Sequence, residues 1–246
     1  MREDLLEAIA SVDWVEARLP ALDEQIKSWL DDNIEIVFVD TPEPATHDVI
    51  VAREKDLLPL EFNITAGAYI NVLRSALDIL AFAIGKREIV LNPDTIYFPV
   101  ADSEADFVAG NYKGSEFVRQ LSADSRSIIE KFLPYRGGHE GIWATHDLDI
   151  MRKHKRLLTV YVRPASWRVT GWGIGQTYKP IDGPGYIEAG NGETALGLLA
   201  KGAKRPDVKA NMHVVFAPGT VLPGRPVVSA IHGFARTIRA VISAFD

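Results

Sequence analysis

A chain of 246 residues that is 47% hydrophobic and 24% charged, with a formal net charge of −6, has the composition of an ordinary globular protein. Its length suits one large domain or two closely packed small ones, and the absence of cysteine excludes disulfides, thiolate metal sites and a cysteine nucleophile. The charge is uneven: residues 1–156 carry 17 Lys+Arg against 28 Asp+Glu, while residues 157–246 carry 10 against 5, a basic excess too dilute for the clustered stripe of a nucleic-acid-binding domain.

The opening residues, MREDLLEAIA, are acidic and amphipathic, unlike the basic start and apolar core of a secretory signal. The longest unbroken apolar run, Ile79 to Ile84, falls far short of the ~20 residues of a membrane span. These features lead to the expectation of a cytoplasmic protein with no membrane partner. Ser11 to Asp32 then places Trp14, Val15, Leu22, Ile26, Trp29 and Leu30 at near-helical spacing, with Pro20 suited to the first turn of a second helix. Ile34 to Val39 and Val49 to Val51, joined through Thr41-Pro42-Glu43-Pro44, predict a two-stranded hairpin.

Leu60 to Ile84 is the clearest helix. Its apolar positions, among them Tyr69, Ile70, Leu73, Leu77, Leu80 and Ile84, wrap most of the circumference, which predicts a buried central helix stopped at Gly85. Thr95 to Phe98 reads as extended, Glu116 to Leu121 and Ser125 to Phe132 as short helices, the second capped by Ser122 or Asp124. Gly141 to Arg156 reads as a helix with an inward stripe of Trp143, His146, Asp147, Ile150 and His154. From Leu157 the period becomes two, with strands at Leu158–Val162, Trp167–Ile174, Thr194–Leu199 and His213–Phe216, and an amphipathic helix over Pro226–Phe245 closes the chain. The expected fold is α+β: an N-terminal helical core (1–156) carrying a β-hairpin, then a mostly antiparallel sheet with a C-terminal helix (157–246), packed as one unit.

Two constellations could carry chemistry. On the central helix Asn63, Asn71, Arg74 and Asp78 form one polar line, and Arg74 and Asp78 stand four apart, within pairing distance. A buried helix must satisfy such a line, because an unpaired buried charge is costly; a narrow solvated edge with one surface ion pair is the bland alternative. The second is His146-Asp147-Leu148-Asp149 running into Arg152-Lys153-His154-Lys155-Arg156. The basic run complements a helix C-terminus, but the dipole does not account for two histidines on an apolar stripe, where a satisfied core residue is the commoner outcome. Together Asn71, Arg74, Asp78, His146, Asp149 and His154 form the candidate binding pocket, and the leading expectation sets His154 buried against a carboxylate, Asp78 first.

No metal is expected: His139, Glu140, His146, Asp147, Asp149 and His154 crowd together, yet no histidine pair has the i,i+4 spacing of H-E-x-x-H. Nor is a cofactor expected. Gly171-Trp172-Gly173-Ile174-Gly175 has the wrong spacing for a dinucleotide loop and sits in a strand pattern with no helix after it, so a bulged strand is the better account.

Leu73-Arg74-Ser75-Ala76-Leu77-Asp78, Tyr97-Phe98-Pro99-Val100, Ile129 to Leu133-Pro134-Tyr135, and Trp143 through Lys153-His154-Lys155-Arg156 resemble a family of uncharacterised bacterial proteins with the pattern LRSALDHLA, FPI, LQPY and DKHR. The likeness is colinear over about residues 60–160 and implies no activity. A weaker likeness links the family's Arg and His, four residues between them, to the R-x-x-x-x-H of HEPN-type helical ribonucleases. Here that histidine position is Ile79, so only Arg74 carries over, and a nuclease would need His154 as its base. Two readings follow: a non-catalytic ligand-binding or regulatory protein, or a metal-independent ribonuclease using the same region. The partner is accordingly a small ligand or RNA, with homo-oligomerisation open.

Overall fold

The computed structural model describes residues 2–90, 92–154, 157–170, 178–180 and 192–246. The chain is α+β, and the described residues divide into two units that follow space rather than chain order: Met1–Asp23, Leu60–Val160 and Phe216–Asp246 form unit 1, and Glu24–Pro59 with Tyr161–Val215 forms unit 2. The division expected at Arg156 falls inside the Leu60–Val160 segment of unit 1. The chain departs from it because the hairpin, expected on the helical core, finds its strand partners after residue 156.

Unit 1 is built round four helices: α1 (Leu6–Glu16), α3 (Leu60–Arg87), α7 (Glu140–His154) and α8 (Val227–Ser243). α2 (Leu19–Asn33) starts one residue before Pro20, where a missing N–H costs nothing, and runs from unit 1 into unit 2. α3 packs against α1, α7 and α8, which is why it is apolar nearly all round: Ile70, Leu73, Leu77, Leu80 and Ile84 are all fully buried. It is long and apolar enough by composition to cross a membrane, and 56% of that stretch is buried inside the protein, as befits a core helix. α8 turns Ile231, Phe234, Ala235, Ile238 and Ile242 inward on one face, as its 3.6-residue period predicts.

Gly85 does not stop α3. It is buried within the helix, where an added Cβ would sit 2.6 Å from Ile96 Cδ1, so it serves close packing. The chain instead turns at Ile89, which adopts φ +56, while Val90 N–H bonds to Gly85 O (2.9 Å) and Ile89 N–H to Lys86 O (3.4 Å). That is the bond pattern of a Schellman cap with a β-branched residue in the glycine position.

Between α3 and α7 lie three short helices, α4 (Glu104–Ala109), α5 (Ser115–Gln120) and α6 (Ala123–Lys131). α4 goes unpredicted from sequence; Ser103 caps it by accepting from the Asp106 N–H, and Ser122 caps α6 by accepting from the Ser125 N–H. Of the predicted extended piece Thr95–Phe98, Thr95 ends a 3-10 turn, Pro93–Thr95, and the chain straightens from Ile96.

Unit 2 contains an antiparallel sheet in the order β1 (Ile34–Val39), β2 (His47–Glu54), β5 (Glu193–Ala200), β4 (Tyr178–Pro180), and a two-stranded sheet of β3 (Val160–Thr170) with β6 (Asp207–Phe216). β2 pairs β1 from Ile34↔Glu54 to Val39↔Val49, and its other edge pairs β5 with a register shift between Ile50 and Val51. Ile50, Ala52, Leu196, Leu199 and Val208 form its core, with Phe38, Trp167, Val169 and Met212 packed on them. The predicted strands at Leu158 and Trp167 are therefore one strand, β3. The Gly171 to Gly175 motif lies outside the described residues.

Candidate functional site

The polar line of α3 meets α7 inside unit 1. Arg152 lies across Gly67, Asn71 Nδ2 donates to Asp149 Oδ1 (2.9 Å), and Arg74 Nε donates to His146 Nδ1 (3.1 Å). As the α3 numbers rise the α7 numbers fall, so the helices run antiparallel and share a polar seam. Further along α3, Asn63 Nδ2 donates to Leu158 O (2.6 Å), a buried bond that ties the helix to the segment entering β3. Asp149 is buried, and its second oxygen takes the Lys153 ammonium at 2.6 Å, one turn along.

Arg74 is the hub. Its side chain is only 7% exposed; Nη2 donates to Phe98 O (3.2 Å) and Nη1 lies 2.8 Å from Asp78 Oδ1, an ion-pair contact outside hydrogen-bond alignment. The same Asp78 oxygen accepts the Phe98 N–H (3.0 Å). Both polar groups of the Phe98 backbone thus bond to one ion pair on α3, and this substitutes for a strand partner that the loop lacks. Asp78 remains 40% exposed.

His146 receives a proton-bearing nitrogen at Nδ1, so its own proton sits on Nε2 and the ring is neutral. Burial first, then the Arg74 guanidinium, push its pKa down to about 4, against the opposing pull of Asp78, Asp149 and Asp102.

Five of the six expected residues therefore assemble: Asn71, Arg74, Asp78, His146 and Asp149. The sixth does not. His154 is exposed at the end of α7, about 12 Å further along the helix axis than His146 at 1.5 Å per residue, and makes no carboxylate bond among the described residues. The cause is a phase error. The buried face of α7 is Ile142, Ala144, Thr145, Leu148, Asp149 and Met151, while Ile150, an expected inward anchor, is 37% exposed. Lys153 points outward as expected, with 43% of its side chain exposed, and Lys155 and Arg156 lie outside the described residues.

Sequence reasoning missed Asp102 and the groove onto which Asp78 opens. That groove, about 750 Å³, runs between the start of the chain and α3, with Ile79 and a half-exposed Phe82 along it and Glu3, Glu7 and Asp78 at its edge. Arg87 is held at its far end by two bonds to Asp4 (3.0 and 2.8 Å). No metal-holding group of three or more His, Asp or Glu occurs among the described residues.

Comparison with protein-family models, with characterised proteins and with solved structures finds no match.

Proposed function

We propose that this is a non-catalytic ligand-binding or regulatory protein of the bacterial cytoplasm, which binds a cationic ligand where the Asp78 carboxylate opens onto the groove of α3. The observation that carries the reading is the commitment of Arg74. A phosphate-binding arginine needs free donors, whereas this one is buried and already spends Nε on His146, Nη2 on Phe98 O and its charge on Asp78. What it leaves accessible is a carboxylate held in fixed position. Four carboxylates, of Glu3, Asp4, Glu7 and Asp78, line the groove with two cations, Lys86 and Arg87, beside the apolar surface of Ile79 and Phe82; the excess of negative charge suits an ammonium or guanidinium on a short hydrocarbon stem.

One observation favours the ribonuclease reading: Arg74 and His146, from different helices, stand 3.1 Å apart. Against it, a histidine with a pKa of about 4 is a neutral imidazole near neutral pH, too weak an acid to protonate a leaving group. The test uses the whole chain. Agmatine and spermidine should raise the melting temperature of the wild type and lose that effect in Asp78→Asn, while labelled single-stranded RNA stays intact with wild type and His146→Gln alike. RNA cleavage by the wild type that disappears in His146→Gln would replace this reading with the nuclease, and stabilisation by the amines that survives in Asp78→Asn would remove Asp78 from the site.

A further inference from the structure

A second cavity, about 530 Å³, lies among α4, α5, α6 and the turn after α6, and shares no residue with the Arg74 cluster or its groove. One wall is aromatic: Phe107 stacks on Tyr112 with ring centroids 5.1 Å apart and meets Tyr135 at 5.5 Å. The apolar side chains of Val108 and Leu133, 81% and 46% exposed, also line it. Nothing in the fold of unit 1 requires large apolar side chains to stay open to solvent around a concave aromatic wall, whereas a ligand with an apolar body does.

The polar groups set the ligand's charge. Arg126 lines the cavity; its Nη2 donates to the carbonyls of Arg119 (3.0 Å) and Leu121 (3.3 Å) at the end of α5, but its buried Nε has no hydrogen-bond partner. A buried donor without an acceptor costs free energy that an acceptor would restore. Arg119 is exposed on the same cavity, with no ion-pair partner among the described residues. The two carboxylates present do not compete for a cation on equal terms: Glu104 sits beside the Tyr135 phenol, which it helps to keep protonated, and Glu130 is exposed to water. They do weigh against a dianion, because two negative charges beside Glu104 and Glu130 would be repelled. Burial keeps the Tyr112 and Tyr135 phenols neutral and therefore donors, raising both above the ordinary tyrosine value.

We infer that this cavity is a binding site for a small aromatic monocarboxylic acid, its ring against Phe107 and Tyr112 and its carboxylate at Arg119 and Arg126. The inference does not rest on the proposed function, since neither the residues nor the ligand charge are shared. The test titrates the full chain with 4-hydroxybenzoate, benzoate and, as the cationic counterpart, tyramine, followed by ligand-observed NMR and calorimetry. Both acids should bind saturably and tyramine at least tenfold more weakly. Arg119→Gln should weaken acid binding at least tenfold, and Ala109→Trp, which fills the cavity from an exposed lining position, should abolish it. Arg126→Gln also uncaps α5, so the decisive variants are the two exposed ones, each checked for an unchanged circular dichroism spectrum. Failure of either acid to saturate, acid binding unchanged in Arg119→Gln or in Ala109→Trp, or tyramine binding as tightly as the acids would each overturn the assignment.

Discussion

Lowering the pH isolates the energetic contribution of His146. In the folded chain its imidazole stays neutral down to about pH 4, whereas in the unfolded chain it titrates near the ordinary value of about 6.5. Between those values the unfolded state binds more protons, so stability must fall as pH falls. The contribution is intact above about pH 6.5 and is lost progressively as the pH drops toward the folded value. The groups that face the ring are Arg74 and Asp78 from α3, Asp149 from α7 and Asp102 from the loop before α4; only Arg74 opposes a charged imidazole, and burial outweighs the three carboxylates. The full gap corresponds to about 3 kcal/mol, of which about 2.5 kcal/mol is lost by about pH 4.5. His146→Gln is the reference, because an amide oxygen can accept from Arg74 Nε and does not titrate. Urea unfolding of both proteins between about pH 7.5 and 4.5 should show the wild type losing about 2 to 3 kcal/mol more than the variant, and an NMR titration should place the imidazole well below the ordinary histidine value. Parallel stability curves for the two proteins would refute the buried, neutral histidine.

Two further outcomes concern the backbone. Ile89 holds φ +56 with an 80% exposed side chain, so Ile89→Gly sheds a left-handed penalty of about 1 to 2 kcal/mol against a smaller entropic loss and should stabilise the chain by about 0.5 to 1 kcal/mol in urea unfolding; destabilisation would show that Ile89 makes contacts worth more than its strain. Gly114 has φ +93, and a Cβ there would meet Tyr97 O at 2.5 Å, a backbone atom that cannot move aside. Gly114→Ala should therefore cost more than about 2 kcal/mol, and a variant with wild-type stability would contradict that contact.

The helices were legible where one face alone is buried or where the whole cylinder is. α8 and α3 show the two cases, and α3 even announces its polar seam, since Asn71, Arg74 and Asp78 interrupt an otherwise apolar surface at helical spacing. α7 was harder because Trp143 and Ile150 are large and apolar yet stand at the edge of the buried face, while Thr145 and Asp149 occupy buried positions that composition assigns to solvent. Rotating the helix by one residue, about 100°, exchanges Ile150 for Asp149 as the inward group and turns His154 away. His146 survives that rotation because it lies at the margin of either face. The hairpin of β1 and β2 was legible as a hairpin but not as part of a larger sheet, because its partner β5 begins more than a hundred residues later and local alternation carries no address. The hub of the cluster was half visible: Phe98 belongs to a motif with an obvious proline, but that its peptide group would bond to Arg74 and Asp78 depends on a loop path no periodicity encodes.

The interleaving of the two units sets the order in which the protein can be made. A ribosome delivers α1 first, then most of the strands of unit 2 after α3 and α7, and only at the end the residues of α8, whose apolar face α1, α3 and α7 cover. Until then the long apolar helix α3 has one flank bare, and closing that flank joins segments separated by more than a hundred residues, a slow step by loop entropy alone. Unit 2 has no such wait, since all its segments precede Phe216. A chain cut short before α8 would thus leave α3 without one of its packing partners although every strand of unit 2 is already made, and that half-finished molecule, more than any point variant, is the form of this protein that chaperones and proteases would meet.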